Sequence, residues 1–158
     1  MKLKEVADII KGTYLKEKEN NIENHTIYKE LTMLSLEPIS FIDDRKLIEV
    51  DSNKKVSLEN LTQEGDVIVS LYFPMIACFV EEGQSGLVIP HYMAAIRVKD
   101  SAKIDPRFIV QFINSTRGRK AICDRISELY TIRPTSLPLT YLNNVDIQKD
   151  ENTLLESF

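Results

Sequence analysis

The chain has 158 residues, of which 43% are hydrophobic and 28% charged, with two cysteines and a net charge of −4. A chain of this length buries roughly 70% of its unfolded surface in one core, and such a composition excludes disordered or collagen-like polymers. The charge is uneven: residues 1–96 carry −6, residues 97–133 carry +5 and residues 134–158 carry −3. An acidic chain of this kind can still present one basic surface to phosphate, although a solvated helix face would give the same count.

The opening MKLKEVADIIKG mixes charges with apolar residues and does not read as a signal peptide. Leu3, Val6, Ala7 and Ile10 recur at helical spacing, with Gly12 where a terminating glycine would stand, so a short opening helix is expected. Thr13 to Asn24 is polar and lysine-rich and reads as a loop. Strand spacing runs from Ile27 to Leu36. A second run, Ile39 to Ile42, meets the turn-like Asp43-Asp44-Arg45-Lys46 before Leu47 to Val50, which predicts a hairpin. Asp51 to Lys55 is a further polar turn.

After Gln63-Glu64-Gly65-Asp66 comes the most strand-like stretch, in which Val67, Val69, Leu71 and Phe73 alternate with Ile68, Ser70 and Tyr72 until Pro74 ends it. The mostly apolar run Val67 to Val80 is too short to cross a bilayer. Ile76 to Val80 and Tyr92 to Val98 read as strands around a turn at Glu81 to Gly86, giving a sheet of at least five strands. Asp105-Pro106 has the N-cap acid and first-turn proline of a helix carrying Phe108, Ile109, Phe112 and Ile113. Gly118 is expected to break it before a second helix with Ala121, Ile122, Arg125 and Ile126. Leu137 to Ile147 is expected to add an edge strand, and 151–158 to fray beyond a single domain over 1–150. Strands first and helices later, without βαβ alternation, predict an α+β domain with a mixed or curved sheet covered by helices.

Motifs for chemistry are missing. There is no GxGxxG or Walker loop, no GxSxG elbow and no aminomethyltransferase-type NPPY segment. His25 and His91 have no metal-binding spacing, and Cys78 and Cys123 sit apart in apolar surroundings as reduced thiols. No catalytic residue, metal or cofactor is therefore expected. The acidic pairs Asp43-Asp44 and Glu81-Glu82 read as solvated turns, and His91-Tyr92 as either a packed pair or a ligand contact. Ser115-Thr116-Arg117-Gly118-Arg119-Lys120 places three cations and two hydroxyls at a helix break, the groups that contact phosphate oxygens, or else forms a soluble interhelical loop.

Three segments together resemble the target-recognition domain of type I restriction-modification specificity subunits. They are LKEVADIIKG (3–12), LTQEGDVIVS (61–70) and IDPRFIVQFINSTRGRKAI (104–122), which are similar in order and spacing to that family's opening, its Gly-Asp turn and its Pro-aromatic helix with a basic break. The resemblance implies a non-catalytic, cytoplasmic module that reads half of a split site in double-stranded DNA, while methyltransferase and nuclease subunits supply the chemistry. Full family members carry two such domains joined by long helices, and no such helix is visible in this sequence. Within that reading Arg117, Arg119 and Lys120 anchor phosphates, and Tyr14, Lys16, Lys18, Tyr72 and Arg133 are candidates for base-edge contact. The alternative is a protein-interaction or regulatory module of the same fold that does not touch DNA.

Overall fold

The computed structural model of the chain describes residues 2–15, 26–52, 54–72, 75–129 and 139–147, with 123–129 as backbone only. In chain order the elements are α1 (Leu3–Val6), β1 (Ala7–Lys11), β2 (Thr26–Glu30), β3 (Ile48–Ser52), β4 (Val67–Ser70), β5 (Ala77–Phe79), β6 (Met93–Val98), α2 (Pro106–Asn114), α3 (Thr116–Leu129) and α4 (Leu139–Asn143). The expected α+β class holds. Four strands form one sheet in the order β1-β6-β4-β5, and β2 and β3 pair as a separate ribbon. Every ladder is antiparallel. Among the described residues, parallel pairing is limited to isolated bridges such as Thr13–Pro90 and Glu30–Val88.

The alternation in β4 sorts side chains between two cores. Val67, Val69 and Leu71 pack with Ala94, Ile96, Phe108, Ile109, Phe112 and Ile113 on the helical side. Ile68 packs on the other side with Cys78, Met93 and Ala95 against Leu31, Leu36, Ile42, Leu87 and Ile89. Both faces of the sheet are thus covered, which is why β4 reads as an almost continuous apolar run. Helices cover one face, and the segments around 31–42 and 87–89 cover the other.

α2 forms where the sequence signals it. The Asp105 side chain accepts from Arg107 N at 2.9 Å, Pro106 fills a first-turn position, and five apolar residues face the sheet. Burying each of these side chains is worth roughly 1.5–3 kcal/mol relative to exposure.

Five local expectations need correction. The opening helix is a single turn: Ala7–Lys11 leaves it to pair with β6, because an edge strand beside Val98 to Ala94 gives the Ile9-Ile10 pair a sheet to pack on. Gly12 ends no helix. A Cβ there would lie 1.7 Å from the Pro90 carbonyl oxygen, so glycine permits that close approach. Residues 39–42 are not the hairpin partner of 47–50; β3 pairs with β2, and Asp43 closes the Asp44–Lys46 turn by accepting from Arg45 N. Asp43 is not solvated but buried, and the Arg45 guanidinium bonded to it holds its carboxyl below the usual carboxylate range. Finally, residues 139–143 are helical rather than an edge strand, docked on α1 so that Leu3 N donates to Val145 O at 3.0 Å.

β5 lies at the sheet edge, where an open strand would invite pairing with another chain. Asn114 blunts it from the end of α2. Its Oδ1 accepts from Ala77 N, and its Nδ2 donates to Ala77 O, each at 2.8 Å. Nδ2 also donates to Ser40 Oγ at 2.9 Å, and Phe79 N donates to Ser40 O at 3.2 Å. These contacts hold Ser40 at φ +83°, a conformation that costs a non-glycine residue roughly 1–2 kcal/mol.

Candidate nucleic-acid interface

Strand direction decides which loops share an end of the sheet. β4 ends at Ser70, opposite Met93 at the start of β6, and β1 ends at Lys11, opposite Ala94. β5 starts at Ala77, opposite Val69. The segments after Lys11, after Ser70 and before Met93 therefore leave from one end. Tyr14, Tyr72, His91 and Tyr92 lie on those segments. α2 terminates at that same end because Asn114 is bonded to Ala77.

The four rings form a continuous array. Tyr72 stacks on Tyr92 with centroids 5.7 Å apart and planes 11° apart. His91 meets Tyr92 edge-on at 5.2 Å, and Tyr14 meets His91 edge-on at 5.4 Å. The contact of Tyr14 with His91 follows from the tight seam between 12–13 and 89–90, where Thr13 N donates to Ile89 O at 2.8 Å beside Gly12. Tyr14 is 64% exposed and Tyr72 36%, while His91 is exposed and Tyr92 half-buried. Burial is the main cause that raises the Tyr92 phenol's pKa, with the Glu30 charge second.

The basic cluster is built differently from the expected break at Gly118. The junction is Ser115, whose Oγ donates to Phe112 O at 2.6 Å and accepts from Gly118 N at 3.0 Å. One hydroxyl thereby closes α2 and caps α3. Gly118 lies inside the first turn of α3, where a Cβ would stand 1.6 Å from the Phe112 carbonyl oxygen. Arg117, Arg119 and Lys120 are exposed in that first turn. The helix dipole makes an N-terminus positive, so three cations there repel both one another and the helix end. An anion placed against the turn offsets both repulsions.

Of the residues singled out from sequence, Tyr14 and Tyr72 belong to the aromatic array, Arg117, Arg119 and Lys120 follow the end of α2 at the same end of the sheet, and Lys16, Lys18 and Arg133 lie outside the described residues. The His91-Tyr92 pair is both packed and partly solvent-facing. Glu30 carries no sequence signal, being one polar position in an alternating strand.

The opposite end of the sheet is organised around an ion pair. Arg97 Nη2 donates to Asp66 Oδ2 at 2.8 Å and to Leu61 O at 3.0 Å, Nε donates to Asp66 Oδ1 at 2.9 Å, and Nη1 donates to Glu59 O at 3.0 Å. A cleft of about 610 Å³ opens there between Asp8, Gly65, Arg97 and Pro106. Its Arg97 donors are committed to protein acceptors. Among the described residues no three His, Cys, Asp or Glu side chains gather to hold a metal ion, and no helix is long and apolar enough to cross a membrane.

No family model matches the sequence, and no curated protein does. Among solved structures, the fold is similar to a chain from "Structural basis underlying complex assembly and conformational transition of the type I R-M system". The TM-score is 0.63 at 14% identity, over 92% of this chain and 36% of that one. The chain thus spans about a third of the neighbour's length, and at this identity the likeness is one of fold.

Proposed function

We propose that this chain is a non-catalytic, sequence-specific double-stranded DNA-binding module of a type I restriction-modification system, reading a half-site for methyltransferase and nuclease subunits. The observation that carries the reading is that an aromatic array and the cationic start of a 14-residue helix lie at the same end of the sheet. Cations and helix-end N–H groups suit phosphate oxygens, whereas tyrosine hydroxyls and imidazole nitrogens suit base edges. The fold likeness to a chain from a type I system supports the assignment of the system.

Fluorescence anisotropy against a duplex selected from a random pool tests it. About four phosphate contacts give a log-log salt slope near −3.6, from roughly −0.9 per contact. Replacing Arg117, Arg119 and Lys120 by Ala makes the slope shallower by up to about 2.7 and weakens all duplexes alike. Folding changes by only about 0.5 kcal/mol per site or less. Wild-type protein that binds no duplex at low salt refutes the proposal.

A second reading, a protein-interaction module, is favoured by one observation. Leu34 and Ile39 are 75% and 79% exposed, near each other in sequence on the segment that covers the non-helical face. Binding of a partner protein without any affinity for DNA would select it.

A further inference from the structure

His91 and Tyr92 are the two central residues of a tight turn that leads into β6, closed by Met93 N donating to Pro90 O at 3.0 Å. The turn is tied down on both flanks. On one, Leu71 N, just past β4, donates to Tyr92 O at 2.9 Å. On the other, Thr13 N donates to Ile89 O at 2.8 Å and Gly12 N to Met93 O at 3.0 Å. Pro90, which enters the turn, is buried and has its φ fixed by its own ring. The backbone that carries His91 is therefore continuous with the sheet.

The side chain is held as well. The imidazole meets Tyr92 edge-on at 5.2 Å and Tyr14 edge-on at 5.4 Å, and Tyr92 is itself stacked on Tyr72. Aromatic pairs in this geometry attract, so two of them restrict a ring that would otherwise turn freely in solvent. Yet His91 stays exposed, and its ring nitrogens have no hydrogen-bond partner among the described residues. A hydrogen-bonding group that is fixed in direction and open to solvent suits a base edge, where readout depends on geometry; phosphate is met chiefly by Arg and Lys, which here sit on α3. A neutral imidazole offers one N–H donor and one acceptor nitrogen. In the major groove the matching ring-nitrogen acceptor is N7, which guanine and adenine present and the pyrimidines do not.

We propose that His91, braced between Tyr14 and Tyr92 on this pinned turn, is a base-reading residue that selects a purine by donating a hydrogen bond to its N7. The inference rests on the DNA-binding reading above and adds a division of labour. The α3 cations position the duplex, and His91 discriminates purine from pyrimidine at one position of the site.

The test uses the full chain and the duplex selected from a random pool, with each purine in turn replaced by its 7-deaza analogue, which carries C–H in place of N7 and still pairs. For wild-type protein one replacement weakens binding about fivefold, as expected for one neutral hydrogen bond. His91→Phe keeps a ring for both tyrosines to pack on but has no nitrogen. It binds the natural duplex about fivefold more weakly than wild type, is indifferent to the 7-deaza replacement at that position, and keeps the wild-type salt slope because no phosphate contact is lost. The Arg119→Ala/Lys120→Ala variant weakens every duplex, flattens the salt slope and stays as sensitive to the 7-deaza base as wild type. If wild type binds DNA but no 7-deaza replacement matters, or His91→Phe remains as sensitive as wild type, purine reading by His91 is overturned while DNA binding stands. A His91→Phe protein that weakens all duplexes alike with a shallower salt slope overturns it too, in favour of a phosphate contact. If no duplex binds, both readings fall.

Discussion

Gly118→Ala separates helix propensity from packing. On propensity alone, alanine inside α3 should stabilise the protein by about 1 kcal/mol. The structure predicts the opposite. The new Cβ would lie 1.6 Å from Phe112 O, 2.5 Å from Phe112 C and 3.2 Å from Ile113 N. These are backbone atoms of α2, itself fixed to the sheet by Phe108, Ile109, Phe112 and Ile113, so no side-chain rotation relieves the overlap. Overpacking typically costs about 1–3 kcal/mol and sometimes more, and a rigid backbone obstacle belongs at the upper end. The net loss is about 2 kcal/mol, which at a urea m-value near 2 kcal/mol/M lowers the midpoint by about 1 M. Equilibrium urea unfolding followed by circular dichroism measures it. Gly65→Ala serves as a control: it has open space around it but φ +90°, so only the backbone conformation is penalised, by about 1–2 kcal/mol. A Gly118→Ala midpoint at or above wild type would refute the account of the α2–α3 junction.

Further expectations concern stability and reactivity. Asn114→Leu leaves the buried Ala77 N–H and C=O without their partner and should cost about 3 kcal/mol by urea unfolding; an unchanged midpoint contradicts the edge-cover role. Arg97→Leu strands the Asp66 carboxylate, only 1% exposed, and should cost about 3–5 kcal/mol, with Asp66→Asn in the same chain restoring part of it. In a Cys123→Ser background Cys78 should resist thiol reagents at pH 8 until the protein unfolds, because burial pushes its pKa up to about 12. The unfolded thiol ionises first, so the stability linked to Cys78 is present below its ordinary pKa of 9.0 and is lost as pH rises towards 12. Glu30 has the same sign at lower pH: its raised pKa makes Glu30→Gln more stable than wild type at pH 7, with the difference vanishing in acid, as thermal melts at the two pH values would show.

What was legible in the sequence was whatever local chemistry dictates. Asp105-Pro106 and the apolar spacing behind them mark α2, and the alternation from Val67 onward marks β4, because caps and periodicity act over a few residues. What was not legible depended on distant partners. Ala7-Asp8-Ile9-Ile10 fits a helix or a strand equally well, and only β6 decides. β2 finds β3 across the whole 31–47 segment, so adjacency in sequence suggested the wrong hairpin. Gly12 and Gly118 looked like helix punctuation, yet each is required by a carbonyl from elsewhere in the fold. The candidate interface followed the same rule: the basic turn was visible as a run, and Tyr14 and Tyr72 were named singly. Their union through His91 and Tyr92 arises from strand direction.

The central claim is that one end of the four-stranded sheet faces DNA, and amide chemical-shift mapping during titration with the selected duplex tests it most directly. The account predicts that the largest shifts fall on residues 12–14, 71–72, 91–92 and 115–120. Residues 63–66, 81–86 and 97–100 at the opposite end should stay still. Shifts centred on that opposite end or on 34–39, or no shifts at all with saturating duplex, would contradict it.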